Sequence, residues 1–463
     1  MLTYLLDERG RCPAYDYLSR CIRRDIRTGR LSPGEKLPSK RAFARRLGVS
    51  VVTVEAAYGQ LIAEGYLRSE ERRGYFVNPI EAPQSSPPSL PVCPEPPAAP
   101  PCLMDFHGGG VANEKFPFTL WAKLMRQAIS EQERHLFDPI PFHGVLALRQ
   151  AISDYLYRAR GITAHPEQVI LGAGTEYLYL LLVQLLGRDR VYGVEDPGYA
   201  KIAHIYQACG ASVCPLPLDG HGPELSSLSN SSIQILHLSP SHHYPTGAVT
   251  PVGRRQALLE WARQKPDRYI IEDDYDSEFR FIGRPLPTLQ SIDTDQRVVY
   301  MNTFSRTIGP ALRISYMLLP PALLERYRQQ LGFYSCTVPS LEQYTLAKFI
   351  SGGGFERHIN RMKAFYRTKR DQVISIIQAS PLGPRSHIRE ENAGLHFLLE
   401  LDTACPDQEA SARARKSGIR LSFLSNYTRR PERVTPHCLV VNYAGLDTTL
   451  LPQALDILSE ILF

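Results

Sequence analysis

Two hydrophobic patterns alternate along most of the chain. Between residues 103 and 320, short runs of consecutive apolar residues, typical of buried strands, alternate with longer segments in which apolar residues recur every three or four positions, typical of helices. Strands are predicted at 168–172, 191–195, 233–238, 269–271, 298–301 and 314–319, and helices at 148–160 and 177–186. Helices between buried strands predict an α/β fold with a mostly parallel central sheet.

The first 78 residues have a different pattern, with three helices in succession. The first covers 15–27, the second begins after Ser39 and ends before Gly48, and the third begins after Ser50, because serine is a favoured N-cap and glycine a common helix stop. The buried stripes are predicted to be Leu18, Ile22 and Ile26, then Phe43 and Leu47, then Val54, Tyr58, Leu61 and Ile62. A helix, a tight turn and a second helix form the helix-turn-helix arrangement.

A two-stranded hairpin is predicted after the third helix, where the run YLRSEERRGYFV follows Gly65. Arg72, Arg73 and Gly74 lie at or beside its tip. Such a wing places cations against DNA phosphates or in the minor groove. Residues 1–78 are therefore predicted to form an α+β winged helix-turn-helix domain that binds double-stranded DNA.

The distribution of charge supports this prediction. The chain of 463 residues has a net charge of +6, and residues 1–78, with 15 Lys and Arg against 9 Asp and Glu, account for all of it. A basic excess confined to one segment is expected where that segment meets a polyanion.

A proline-rich segment separates this domain from the rest of the chain. Ten prolines fall between Pro79 and Pro101, which predicts a semi-rigid, extended spacer over residues 79–102. Three parts follow: a DNA-binding domain at 1–78, a linker at 79–102 and an α/β domain at 103–463.

Composition argues against several other classes of protein. No run of about 18 apolar residues occurs, and the start MLTYLLDERG lacks the basic and apolar pattern of a signal peptide, so we expect a soluble, cytoplasmic protein without a membrane partner. The nine cysteines show no CxxC or Cys/His spacing, which predicts neither a metal site nor a disulfide framework.

Candidate ligand-binding residues follow the predicted strands, where ligands bind in open α/β sheets. Gly174, Thr175 and Glu176 lie between a strand and a helix, a position that suits a phosphate but is equally consistent with an ordinary tight turn. Tyr199 in VEDPGYAK and the loop SPSHHYPTG also follow strands. Asp273 and Tyr275 stand in YIIEDDYDSEFRF.

Residues 29–67 resemble the winged helix-turn-helix of GntR-type regulators, through the pattern GxLxPGxxLPSxRxxAxxLGVSxxTVxxAYxxLxAEGYL. The resemblance implies DNA contacts from Lys36, Ser39, Arg41, Ser50, Thr53, Arg72 and Gly74. Two positions depart from the pattern: Val51 replaces the usual arginine, and Arg72-Arg73-Gly74 replaces a Gly-Ser-Gly wing tip.

Most of residues 105–320 resembles a fold type I aminotransferase, which binds pyridoxal phosphate (PLP). The shared motifs are DFHGGG, FPFTLW, RGITAHPEQVILGAGTE, YIIEDDYDSEFRF and VVYMNTFSRTIGPALRISYMLLP. A GntR head joined by a linker to such a body is the architecture of MocR/GabR-type transcriptional regulators. The resemblance implies a cofactor site in which Asp273 faces the pyridine nitrogen, Tyr275 bonds the ring oxygen, Tyr199 contacts the ring, and Thr303 and Arg313 lie on the phosphate side.

Arg306 stands where these enzymes carry the lysine that forms a Schiff base with PLP. A guanidinium does not lose its proton at accessible pH, so Arg306 can form no Schiff base, and we predict no catalytic residue and no enzymatic activity. Lys201 stands where the GabR-like pattern has a carboxylate-binding arginine, and Val440 occupies the place of another arginine of aminotransferases.

Two hypotheses for Arg306 follow. In one it binds an anion, either the phosphate of noncovalent PLP or a different acidic effector. In the other it fills a disused pocket and pairs with Asp273. The protein is accordingly interpreted as a regulator whose body senses a small molecule, and the resemblance implies a head-to-tail homodimer. The alternatives are a PLP-dependent aminotransferase with a DNA-binding head and a regulator with a purely structural dimeric body.

Overall fold

The computed structural model describes residues 4, 12–80, 102–108, 110, 115–283 and 286–463. The chain divides into two compact units, a head (residues 1–98) and a body (residues 99–463). The spacer predicted at 79–102 lies almost entirely outside the described residues and stays a prediction. Within the described ranges, no helix has both the length and the apolar character of a membrane span.

The head contains the helices α1 (Ala14–Arg27), α2 (Lys40–Leu47) and α3 (Val51–Ala63) and the strands β1 (Lys36–Leu37), β2 (Leu67–Glu70) and β3 (Gly74–Val77). The side chain of Ser39 accepts a hydrogen bond from the backbone N–H of Ala42, and Ser50 accepts one from Thr53, so both serines are the predicted N-caps. Gly48 ends α2 in the left-handed conformation, with φ of 67°.

The sheet of the head is antiparallel and ordered β1-β3-β2. Strands β2 and β3 are the predicted hairpin, whereas β1 is too short to be seen as a strand in the sequence. The helices and this sheet enclose an apolar core that includes Leu18, Phe43 and Val54. Ile62, predicted in the buried stripe of α3, is only half-buried, and Ala57 lies on the buried face instead.

The body is built on an eight-stranded sheet in the order β5-β12-β11-β10-β9-β6-β7-β8. Its strands are β5 (Val169–Gly172), β6 (Val191–Asp196), β7 (Ser212–Asp219), β8 (Gly222–Pro223), β9 (Ile235–Leu238), β10 (Tyr269–Asp273), β11 (Val298–Thr303) and β12 (Ser315–Leu318). Strands β7, β6, β9, β10 and β11 run parallel, and β12 runs antiparallel to both of its neighbours. The mostly parallel sheet predicted from the sequence is thereby confirmed.

Helices cover both faces of this sheet, as its apolar strands require. They are α4 (Phe118–Gln132), α5 (Leu146–Arg160), α6 (Thr175–Leu186), α7 (Ala200–Ala208), α8 (Leu225–Ser229), α9 (Val252–Arg263), α10 (Leu289–Ile292), α11 (Pro321–Leu331) and α12 (Ser340–Ser351). Consecutive residues of β10 show the two layers: Ile271 packs into the cluster that includes Leu178 of α6, and Ile270 into the cluster that includes Leu258 of α9.

A smaller region follows, with helices α13 (Gly354–Ala379), α14 (Asp407–Lys416) and α15 (Leu451–Leu462). Its antiparallel sheet consists of β13 (Ser386–Arg389), β14 (Phe397–Leu401) and β16 (Cys438–Val441), and β4 (Met104–Asp105) pairs with β15 (Ile419–Arg420). The sequence predicted none of these strands, nor β7, which contains Pro215 and Pro217, residues that are rare inside strands.

Candidate functional site

The hydroxyl groups predicted to contact DNA lie at the starts of α2 and α3. Ser39 lies 3.3 Å from the backbone nitrogen of Ala42, and Ser50 lies 3.1 Å from that of Thr53. The hydroxyls of Ser50 and Thr53 also lie 2.8 Å apart. These hydroxyls cap the two helices, and the other N–H groups in the first turn of α3 have no partner within the helix, as at any helix N-terminus that could bind an anion.

The cationic side chains of the head that were predicted to contact DNA lie outside its apolar core. Lys36, Arg41 and Arg72 are all exposed. Lys36 and Gly74 meet on neighbouring strands, since a Cβ at Gly74 would lie 3.2 Å from Cε of Lys36. Arg72 lies in the turn between β2 and β3, the two strands of the wing. Its positive φ of 59° allows the chain to reverse direction there. The structure therefore places cations on α2, on β1 and on the wing.

One contact between helices of the head was not predicted from the sequence. Lys40, the first residue of α2, forms an ion pair with Glu55 of α3, and its ammonium lies 5.8 Å from the ring centroid of Tyr75 on β3. The pair links the two helices of the helix-turn-helix. Residues 15 positions apart on different helices give no local pattern that would reveal it.

The body contains a cavity of about 470 Å³ at the carboxyl ends of the parallel strands. All residues predicted for the cofactor site line it, except Gly174, which directly precedes α6. The predicted residues in its wall are Thr175, Glu176, Tyr199, Asp273, Tyr275, Thr303, Arg306 and Arg313. The strands thus bring together side chains that lie more than a hundred positions apart in the sequence.

Asp273 is the last residue of β10 and is 95% buried, with a relative exposure of 5%. Its Oδ2 accepts a hydrogen bond from the Tyr179 hydroxyl at 2.5 Å, and Nε2 of His237 lies 3.6 Å away. Nδ1 of His237 is 2.6 Å from the Tyr206 hydroxyl; with that phenol as donor, the imidazole proton lies on Nε2, toward Asp273. The carboxylate is therefore held in a fixed orientation.

The other oxygen of this carboxylate, Oδ1, is buried and has no hydrogen-bond partner among the described residues. A buried carboxylate oxygen without a donor is unfavourable, which favours a ligand that brings an N–H to it. The partners described for Asp273 are Tyr179 and His237, and the hypothesis of an ion pair with Arg306 stays a prediction.

Tyr275 and its neighbours supply neutral hydrogen-bonding groups. Burial raises the pKa of Tyr275 well above its ordinary value, while the charge of Arg306 partly opposes that rise, so the phenol keeps its proton. Its hydroxyl lies 3.3 Å from Nδ1 of His242, which is 2.9 Å from Asp276. On β11, the Thr303 hydroxyl lies 2.8 Å from that of Ser315.

One end of the cavity, which we call the anion end, is lined by Thr175, Glu176, Lys201 and Arg313, and Gly174 directly precedes Thr175 in the chain. Gly174 has φ of 93°, and a Cβ there would clash with the Arg313 guanidinium, so only glycine suits this position. Glu176 accepts from Arg313 at 3.2 Å and forms an ion pair with Lys201. The hydrogen bond from Lys201 lowers the pKa of Glu176, which keeps it ionised. The carboxylate of Glu176 thus pairs with both cations that lie near the N-terminus of α6.

Two cations of the cavity, Arg306 and Lys201, could bear on PLP chemistry, and neither can act as a neutral amine. Arg306 carries a guanidinium, which stays charged. Lys201 is held as an ammonium, because its hydrogen bond to Glu176 raises its pKa. Val440, which the resemblance aligns with an aminotransferase arginine, is fully buried in an apolar cluster and contributes no cation.

Several residues of the cavity wall were not predicted, including His107, Tyr244, Tyr427 and Asn442. The Tyr244 and Tyr427 hydroxyls lie 2.7 Å apart, and Tyr199 packs edge-on to Tyr244 with centroids 6.1 Å apart. Tyr244 belongs to the loop SPSHHYPTG, so the sequence offered a signal for it. Tyr427 lies in a 3-10 turn whose surroundings show no clear hydrophobic period.

Comparison with known families identifies both units. Residues 109–458 match the family "Aminotransferase class I and II", and residues 14–77 match "Bacterial regulatory proteins, gntR family". The first match covers more than half of the chain, and the second covers the helices and wing of the head.

Several relatives are also similar over nearly their whole length. The HTH-type transcriptional regulator YdeL of Bacillus subtilis is 38% identical over 96% of this chain and 96% of its own. MocR of Rhizobium meliloti, named as a probable rhizopine catabolism regulatory protein, is 30% identical over 98% of this chain and 94% of its own. Among solved structures, the α-aminoadipate aminotransferase LysN of Thermus thermophilus superposes with a TM-score of 0.66 at 22% identity, over 78% of this chain and 92% of LysN, which shows the shared fold.

Proposed function

The chain belongs to the family of HTH-type transcriptional regulators that join a gntR-type head to an aminotransferase class I and II body, and from this membership we propose that its body is a catalytically inactive sensor of a small anionic molecule. The observation that supports this proposal is Arg306 in the cavity wall, a residue that the family resemblance aligns with the Schiff-base lysine. A cavity with a guanidinium there binds anions and forms no covalent bond with an aldehyde.

We propose that the head binds operator DNA through Lys36, Ser39, Arg41, Ser50, Thr53, Arg72 and Gly74. The exposed cations of α2, β1 and the wing support contacts with phosphates, and the N-terminal end of α3 supports insertion into the major groove. Ligand binding to the body then changes the arrangement of paired heads, because the ligand binds two conformations with different affinities.

PLP held without a covalent bond is the ligand that the cavity fits best. The orphaned Oδ1 of Asp273 suits a protonated ring nitrogen, and the Tyr275 phenol suits the ring oxygen. Thr303, Arg313 and the N-terminus of α6, with Gly174 before it, suit the phosphate. Bound PLP supplies an electron-withdrawing ring. In this chain the residues bind and orient it, and none accepts or delivers the proton that transamination requires.

Calorimetry with PLP, PLP together with amino acids, and acidic metabolites tests this proposal on the full chain. We expect saturable binding of PLP or of another anion, and no covalent adduct when the mixture is treated with borohydride and the intact mass is measured. A covalent adduct on the natural sequence favours a PLP-dependent aminotransferase with a DNA-binding head instead. A protein that binds none of these compounds fits a purely structural body, and the sensor proposal fails.

The proposal includes a homodimer in the cytoplasm. A head-to-tail pair follows from the family resemblance, and a transcriptional regulator acts where DNA is. Sedimentation of the full chain checks the first point: a mass of one 52.1 kDa chain at micromolar concentration contradicts the dimer.

A further inference from the structure

The outer face of α3, the helix proposed to enter the major groove, presents mainly small and apolar side chains. Val51 and Val52 have relative exposures of 41% and 72%, and Ala56 and Gly59 are also exposed. A Cβ at Gly59 would have no atom within 4 Å. Large exposed valines are uncommon on a small soluble domain, and here they stand at the first two positions of the helix, where base contacts are made.

The polar side chains near this face are engaged within the head. Glu55 is paired with Lys40, and the amide of Gln60 donates to Glu64 at 3.0 Å. The hydroxyls of Ser50 and Thr53 bond to each other. Hydrogen-bonding readout of guanine or adenine depends mainly on arginine, lysine, asparagine or glutamine at the groove; α3 has none of the first three, and its one glutamine, Gln60, lies near the C-terminal end and is bonded to Glu64.

We propose that Val51 and Val52 read thymine, by placing their methyl groups against the C5-methyl group of thymine in the major groove. That methyl is the apolar group that the major-groove edges of unmodified base pairs offer to a side chain. Ala56 and Gly59 allow the helix to approach the base edges closely, because they add little volume. This inference rests on the proposed DNA binding; Lys36, Arg41 and Arg72 supply affinity for phosphates that does not depend on sequence.

Deoxyuridine gives a direct test, because it lacks only the C5-methyl group of thymine. Binding sites for the full chain are first selected from a randomised duplex library. Each thymine of the selected site is then replaced by deoxyuridine, and the affinity is measured at constant salt. We expect one or two positions in each half-site to lose about three- to fivefold in affinity, the effect of one buried methyl group.

Val52→Ala is the matched protein variant. Its side chain is exposed, so the melting temperature should stay that of the natural sequence, while the preference for thymine over deoxyuridine falls to about one at the position that Val52 contacts. Val252→Ala, which truncates a valine of the body with 44% exposure, should leave the preference unchanged. 5-Methylcytosine at the same position should recover part of the affinity that cytosine loses.

Equal affinity for thymine and deoxyuridine at every position overturns the inference, as does a Val52→Ala variant in which the preference is undiminished at all of the sensitive positions. Both results leave the proposed DNA binding intact when affinity still falls steeply with salt. If the full chain shows no salt-dependent binding to any duplex, the proposed DNA binding itself fails, and thymine readout fails with it.

Discussion

The head and the body hold their cations in opposite ways. In the head, Lys36, Arg41 and Arg72 are exposed to solvent. In the cavity of the body, Lys201 and Arg313 share the carboxylate of Glu176. Lys201 and Arg313 are themselves exposed, so the difference lies in pairing: cations without an ion-pair partner act at a distance on a polyanion, whereas paired cations become available when a ligand replaces the resident carboxylate. The same residue types therefore serve two kinds of anion.

The family resemblances imply one substitution of opposite kind in each unit. By these resemblances, Val51 of α3 stands where an arginine is expected, and Arg306 of the cavity stands where a lysine is expected. The first change replaces a charged contact with an apolar one, and the second replaces a nucleophile with a permanent cation. The fold accommodates both, so function is decided by the residues of each site.

The largest effect is expected from Arg306→Lys. Because a lysine amine can lose its proton and attack an aldehyde, this variant should gain a covalent PLP adduct that the natural sequence lacks. Incubation with PLP, borohydride treatment and intact mass measurement would show the change from no adduct to a stoichiometric one.

Arg313→Lys is the control, because it introduces the same residue at the anion end of the same cavity. We expect no adduct from it. A variant Arg306→Lys that binds PLP but remains unmodified would show that the cavity does not position the aldehyde at residue 306, and would contradict the assignment of Asp273 and Tyr275 to the ring.

The head should respond most to the combined change Arg41→Ala with Arg72→Ala. Each lost phosphate contact weakens binding by roughly tenfold near 0.1 M salt, so the pair should cost on the order of a hundredfold per head and lower the salt slope by about two. Mobility shift or fluorescence anisotropy with the upstream region of the gene measures both quantities.

Arg415→Ala with Lys416→Ala removes an equal charge from two exposed positions on α14 of the body. Their affinity and salt slope should remain close to those of the natural sequence. An equal loss in both double variants would mean that net charge, and not the position of the cations on the head, determines DNA binding.

The sequence predicted those parts of the fold that depend on residues close together in the chain. Ser39 and Ser50 were found as caps because a cap is a contact over three residues. The apolar strands β10 and β11 were found because both faces of the sheet are covered. Strand β7 was missed because Pro215 and Pro217 are unusual in a strand, and its place in the sheet depends on pairing with β6.

The site was predictable to the extent that motifs follow strands. Asp273 and Thr303 end neighbouring parallel strands, so their meeting in one cavity follows from the topology. The ion pair of Glu176 with Lys201 and the hydrogen bond from Tyr179 to Asp273 join separate elements, and no sequence period records such contacts. Tyr427 and Asn442 reach the cavity from the smaller C-terminal region, whose sequence contains few recognisable patterns.

A pH dependence of stability is expected from the body. Burial raises the pKa of Glu195 from 4.5 to about 8, although the N–H of Ser239 donates to it at 3.0 Å. Below about pH 4.5 both folded and unfolded chains hold this proton; between pH 4.5 and 8 the folded chain holds it more strongly, so this group makes stability fall as pH rises.

Glu195→Gln removes that dependence. We expect the variant to be on the order of 5 kcal/mol more stable than the natural sequence at pH 9 and equally stable near pH 4.5, as measured by denaturant unfolding. Glu131→Gln, which alters an exposed ion pair with Lys348 on the same unit, should change stability by less than about 1 kcal/mol and show no such trend. A variant that is destabilised at pH 9 would show that the buried carboxylate is ionised and stabilised by its surroundings.

The smallest of these effects is expected from Glu176→Gln. This variant also tests most directly whether the cations of the cavity, unlike those of the head, are held by a carboxylate of the protein. If Glu176 competes with a ligand for Lys201 and Arg313, removing its charge should strengthen binding of PLP and of inorganic phosphate by about tenfold, because a like charge at the anion end disappears while the amide still bonds Arg313. Calorimetry measures the change, with Glu131→Gln as the control. The gain should be larger for phosphate-bearing ligands than for monocarboxylates, since the repulsion grows with ligand charge. Weaker binding in the variant would mean that the carboxylate of Glu176 positions Lys201 and Arg313 for the ligand. The cavity would then need its carboxylate to bind an anion, whereas the head binds its anion through exposed cations directly.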